Sequence, residues 1–396
     1  MEFTKKILPN GLIILHEKRD VPVTTVAIAS KFGAAYETES EKGISHVIEH
    51  LCFKGTEKRI AKEISSEIEK IGGILNAFTH EEITFYHAKL PSKSMYIALD
   101  VLMDIYFNSV FSESEMEKEK KVICEEIKMR KDNPHIYVCD SLKQNLYSGA
   151  FGMDTAGDAK KVMSLSREDI VKKHKERYCP SNSVLCVVGN NSLDEIMEFV
   201  DKFSFPENFV IPEKMIPEKR ILVSSEKRDG IEQANLTMGI HFPCATSKER
   251  YVAQVFNAIL GDGMSSKLFL EVREKLGLVY SIKSDLDFGK DYGYLLVYAG
   301  TDKNNVEKVI SIVSDEFKKM GNITEQELED AKRQLVGNHL VSDEGSEESA
   351  LNLVLEELFG DAGRYYSFEE RVNAVKLEDI KLLTKDVKFA SFILTP

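Results

Sequence analysis

Apolar and polar positions alternate at the start of the chain. Phe3 to Leu8 and Leu12 to His16 read as a hairpin turning at Asn10-Gly11, residues that tolerate the positive φ of a tight turn. Val23 to Phe32 follows as a β-rich run. From Ile44 to Phe53 the apolar residues move to helical spacing, and a second helix is predicted from Ala61 to Ile71, ended by Gly72-Gly73. Ile74 to Leu90 returns to a period of two, with Ile83, Phe85 and His87 alternating with Thr84, Tyr86 and Ala88, and predicts a strand. After Pro91-Ser92-Lys93 the pattern is helical through Tyr106. Ser112 and Glu115 have capping-box spacing and start a helix that runs to about Arg130.

Three prolines, Pro206, Pro212 and Pro217, sit among charged residues and mark a linker. The expected division is therefore 1–205, a linker at 206–218, and 219–396. Beyond the linker, Tyr292 to Ala299 reads as a strand, Thr301-Asp302-Lys303 as a turn and Val306 to Met320 as an amphipathic helix. That order repeats Thr84 to Leu90, Pro91 to Lys93 and Tyr96 to Tyr106 about 210 residues later, as a duplication would.

Composition narrows the function classes. A chain of 396 residues, 43% hydrophobic and 30% charged, is globular and long enough for two or three cores. Its net charge of −13 and the absence of a basic, aromatic-interleaved run argue against nucleic acid as a partner; an acidic surface would favour basic ligands such as cationic peptides, although net charge by itself more often reports solubility alone. Six scattered cysteines without a C-x-x-C pair read as core thiols of a reducing compartment. No signal segment and no run of about 18 apolar residues is found, so no membrane partner is expected and the default location is cytoplasmic.

The chemistry lies in His46-Val47-Ile48-Glu49-His50, within the first predicted helix. Positions i and i+4 stand one turn apart on one face, so two imidazoles can share one metal, and Glu49 at i+3 points to the same side. The bland alternative is a pair of partly buried histidines bonded to a carboxylate. Hydrolytic zinc takes three protein ligands and keeps a fourth position open, so a carboxylate from another element is needed. The helix Ser112 to Arg130 offers Glu117, Glu119, Glu125 and Glu126.

The block His46 to Thr56 (HVIEHLCFKGT), with Glu126 at 76 positions past His50, resembles the inverzincin metallopeptidases of the pitrilysin and insulinase family, which includes mitochondrial processing peptidase. The resemblance extends through Asn10-Gly11, Gly72-Gly73 to Asn76-Ala77, Tyr86, the Glu119 to Glu126 helix and Leu260 to Ile282. It implies an α+β fold of two homologous domains, each a mostly antiparallel sheet packed with helices. It implies one Zn²⁺ per chain, held by His46, His50 and Glu126, with Glu49 as general base and Glu119 orienting a ligand histidine. Asn76 and Ala77 would lie on an exposed edge to which an extended substrate adds as another strand. Arg273 and Tyr280 would match a pair that grips the substrate and the oxyanion region.

Larger members of that family close four such domains around the substrate, so a chain with two is expected to act as a homodimer, or as a heterodimer with a sister chain. The expected function is a zinc endopeptidase acting on short or unfolded peptides in a chamber formed by dimerisation. The alternatives are a non-catalytic scaffold subunit of the same fold and, less economically for this length, a small-molecule zinc enzyme.

Overall fold

The opening alternation folds as the hairpin it predicts: β1 (Glu2–Ile7) pairs antiparallel with β2 (Ile13–Lys18), Gly11 adopting φ +88° in the turn. The computed structural model describes residues 2–210 and 215–396. Residues 211–214, including Pro212 of the expected linker, lie outside the described residues. Two compact units form, one from Met1–Ile127, Asp154–Met215 and Ser342–Tyr365, the other from Lys128–Met153, Ile216–Val341 and Tyr366–Pro396.

The first unit is built on a six-stranded sheet. Its remaining strands are β3 (Val23–Ser30), β4 (Ile74–Thr79), β5 (Thr84–Pro91) and β6 (Ser183–Gly189), in the order β1-β2-β6-β3-β5-β4. All pairings are antiparallel except β2 with β6. The predicted single strand from Ile74 to Leu90 is two strands of a hairpin. The break falls at His80 to Ile83, where His80 N–H donates to the Ile83 carbonyl (2.8 Å), and no glycine, proline or asparagine announces it. Four helices of this region, α1 (Ile44–Cys52), α2 (Ala61–Glu69), α3 (Met95–Phe107) and α4 (Glu113–Asp132), follow the sequence expectation within a few residues.

Val26, Ile28, Tyr86, Ala88, Leu185 and Val187 point from this sheet into one core with α1 and α3. Ala27, Phe85, Val184 and Cys186 are buried as well. Alternation sends these to the opposite face, which the helix Ser346–Leu358 covers by packing on β3, β5 and β6.

The second unit repeats the plan. Strands β7 (Val223–Lys227), β8 (Ala234–His241), β9 (Val279–Phe288), β10 (Gly293–Thr301) and β11 (Ala390–Thr395) are ordered β7-β11-β8-β10-β9, with only β7 and β11 parallel. Strand for strand this is β2-β6-β3-β5-β4 again, senses included, and the helix Val306–Lys319 follows β10 as α3 follows β5. The second face of this sheet is covered by α5 (Pro134–Leu146), with Val138, Leu142 and Leu146 buried and Thr237 Oγ1 donating to the Val138 carbonyl (2.9 Å).

Relative to a linear division at 206–218, each unit therefore takes one covering helix from the other half of the sequence. A sheet with two apolar faces needs a helix on both, and here the second comes from far along the chain. Among the described residues no helix is long and apolar enough to cross a membrane, and all six cysteines are thiols.

Candidate metal centre

Helix α1 is amphipathic within nine residues. Ile44, Val47, Ile48, Leu51 and Cys52 are at most 1% exposed in the core, which turns His46, Glu49 and His50 to the other side. Its N-terminus is fixed by Gly43. The φ of +100° there is one that L side chains rarely adopt, and a Cβ would stand 3.1 Å from Gly157 Cα, so only glycine fits. The exposed N–H groups of the first turn are met by Glu37, which accepts from Gly43 N (2.9 Å) and Ser45 N (2.7 Å). Glu37 also faces the wholly buried Lys42 (3.5 Å). Burial pushes the Glu37 carboxyl up, against the pull of Lys42 and the N–H donors. Replacing it, Glu37→Ala, removes the carboxylate partner of a buried ammonium and the acceptor of the helix start. A loss of about 3–5 kcal/mol is expected, to be read as the shift of the urea unfolding midpoint at unchanged slope.

On α4, the buried residues Met116, Glu119, Lys120, Ile123 and Ile127 form one stripe at helical spacing, and Glu126 lies beside its carboxyl end. The stripe brings two carboxylates to α1. Glu126 Oε2 is 3.6 Å from His46 Nε2 and 3.6 Å from His50 Nε2. One ligand atom from each of His46, His50 and Glu126 lies within 4.8 Å of the others, a group able to hold a metal ion. Bonds of about 2.0–2.1 Å at tetrahedral angles put ligand atoms about 3.4 Å apart, so the spacing and the N,N,O donor set both suit zinc.

Glu119 Oε2 stands 3.2 Å from His50 Nδ1 and its Oε1 is 2.8 Å from Lys54 Nζ. A proton on Nδ1 leaves the Nε2 lone pair facing Glu126. Burial opposes charge on His50, but hydrogen bonds to Glu126 and Glu119 and the nearby Glu49 outweigh it and hold its pKa above the usual imidazole value. Glu49 is 8% exposed, and burial raises its pKa although Thr79 Oγ1 donates to Oε2 (2.6 Å) and His50 is near. The arrangement sets a buried carboxylate beside a group of two imidazoles and one carboxylate spaced so that they could hold a cation.

The expected site residues fall into three groups. His46, Glu49, His50, Glu119 and Glu126 converge within the first unit. Asn76 and Ala77 lie on β4, an edge strand of that unit's sheet, where the exposed Asn76 carboxamide accepts from Ala77 N–H (2.9 Å). Arg273 and Tyr280 lie in the second unit. Arg273 is on the π-helical turn Phe269–Lys275 with its guanidinium 4.7 Å from the Phe269 ring centre, and Tyr280 is on edge strand β9, 77% exposed. Sequence reasoning missed Thr79, Lys54 and Glu37. Thr79 has a weak signal, since alternation puts it on the same face of β4 as Ala77. Cys52, the last residue of α1 and fully buried, has its thiol pushed up to about 12 by burial, which makes it inert.

Comparison with known proteins adds an independent line. Residues 12–159 match the family model described as insulinase, peptidase family M16, and residues 164–335 match that of the peptidase M16 inactive domain. An uncharacterized zinc protease of Bacillus subtilis is 33% identical over 96% of this chain and 94% of its own length. Among solved structures, a protease from Helicobacter pylori superposes with a TM-score of 0.92 at 22% identity, covering 100% of this chain and 99% of the other. A protein from Pseudomonas fluorescens described as a peptidase M16 inactive domain gives 0.90 at 19% identity over 100% and 98%. At these identities the two structures speak to the fold alone.

Proposed function

The chain belongs to the insulinase family, peptidase family M16, and on that premise we propose that it is a zinc-dependent endopeptidase acting on extended, unfolded peptides. The observation that carries the reading is the convergence of His46, His50 and Glu126, from two elements far apart in sequence, with Glu49 one turn away. Two imidazoles and one carboxylate would hold the ion, which when bound supplies Lewis-acid activation of water for attack on a peptide carbonyl.

The remaining work falls to the chain's own residues. Glu49 takes the proton from the attacking water and returns it to the leaving amine. Thr79 holds the Glu49 carboxylate through Oε2. Glu119 fixes the His50 ring. Edge strand β4 offers backbone hydrogen bonds to a substrate strand, which gives affinity with little sequence preference. Arg273 and Tyr280 donate to the developing oxyanion, and in a homodimer they come from the second subunit. The net charge of −13 favours basic peptides.

The test is metal analysis beside digestion of a mixed peptide library. One zinc per chain is expected, with cleavage lost on chelation and restored by added Zn²⁺. A chain that binds zinc and assembles but cleaves nothing would instead be the scaffold subunit.

A further inference from the structure

We infer that Lys54 is a positioning residue of the metal site: it holds Glu119 so that this carboxylate can orient His50. The inference rests on the zinc reading above and extends it to a residue outside the ligands. Lys54 lies two residues past the end of α1, and its backbone N–H donates to the Leu51 carbonyl (3.0 Å), which ties it to the last turn of the helix. The next residues are anchored as well. Thr56 Oγ1 donates to Asp104 on α3 (2.7 Å), and Thr56 N–H donates to the Arg59 carbonyl (2.8 Å). Lys54 therefore starts from a fixed point, and its side chain reaches Glu119 with only 31% of its surface exposed.

Glu119 divides its two oxygens between two partners, Oε1 facing Lys54 Nζ at 2.8 Å and Oε2 facing His50 Nδ1 at 3.2 Å. A carboxylate that is 9% exposed cannot exchange a lost partner for bulk water at no cost. With Lys54 in place the plane of the carboxylate is set by two contacts, and the imidazole is steered so that Nε2 faces Glu126. With Lys54 removed, one contact remains and the carboxylate can rotate. Partners of this kind around a zinc ligand are worth about 10–100-fold in metal affinity. A purely electrostatic role for Lys54 has the opposite sign, because removing a positive charge near a cation site tightens cation binding.

Zinc affinity, measured by competition with a chromophoric chelator, decides between the two without reference to turnover. Lys54→Met is expected to weaken zinc binding about tenfold, and Lys54→Arg to recover it to within about threefold. Glu119→Gln should also weaken binding, and the double variant Lys54→Met/Glu119→Gln should be little worse than Glu119→Gln alone, since Lys54 acts through Glu119. Thermal unfolding of the zinc-free proteins checks that each variant folds. Unchanged or tighter zinc binding in Lys54→Met, or losses that add in the double variant, would overturn the inference. Failure of the zinc reading is a separate outcome, since the unmodified chain would then bind no zinc in the same titration.

Discussion

Glu49→Gln should load zinc as the unmodified chain does and lose peptide hydrolysis by about 10³-fold. The ligand atoms of the proposed zinc site belong to His46, His50 and Glu126, and the substitution touches none of them. Glutamine keeps the shape of the side chain and an oxygen that can accept from Thr79, so the local packing survives. What disappears is the capacity to take a proton. The same change should leave the zinc-free protein no less stable. Burial holds the Glu49 pKa above its ordinary value, so ionised Glu49 costs folding free energy that a neutral amide does not. Zinc per chain by mass spectrometry, turnover of a fluorogenic peptide and a melting curve give the three readouts. Turnover close to that of the unmodified chain in a zinc-loaded variant would remove Glu49 from the role of base.

The proposed separation of ligation from proton transfer rests on structure at several levels. The apolar side of α1 determines which way the histidines point, Glu37 fixes where the helix starts, and Glu119 with Lys54 fixes how one ring is turned. A four-residue spacing inside one helix brings the two imidazoles together at almost no entropic cost. The Glu126 carboxylate comes from a helix more than 60 residues away, so its placement depends on the whole unit folding.

The same distinction explains what could be read from the sequence. His46, Glu49 and His50 are visible because helical geometry relates them locally. Glu126 is one of four acidic candidates on its helix, and only the family resemblance singles it out. Lys54 and Thr79 form their contacts across elements, to α4 and from β4 to α1, and nothing in local spacing reports them. The hairpin turn at His80 to Ile83 escapes because apolar alternation continues on both sides and His80-Glu81-Glu82 has no turn-forming signature. The exchange of α5 and the helix Ser346–Leu358 escapes for a related reason: periodicity shows that a helix has an apolar face, not which sheet that face will cover.

The repeat itself leads to the second large effect. Each unit carries a five-strand plan with the same strand order, yet the H-x-x-E-H motif lies in the first and the Arg273/Tyr280 pair in the second. If Arg273 donates to the oxyanion, Arg273→Ala should lower kcat by about 10²–10³-fold and leave zinc content unchanged. If it does so across a homodimer, the defect can be cured by a partner that is itself dead. A heterodimer of Arg273→Ala with Glu49→Gln contains one site with an intact Glu49 from the first chain and an intact Arg273 from the second. Random pairing of equal amounts gives heterodimers in half the molecules, each with one of its two sites restored, so about one quarter of the unmodified activity should return. Differently tagged chains, mixed and purified through both tags, supply the heterodimer alone and raise the expected recovery to about one half on the same count. Confirmed heterodimers that stay as inactive as either parent would reject completion across subunits, and an Arg273→Ala chain with full activity would reject the role of the arginine altogether.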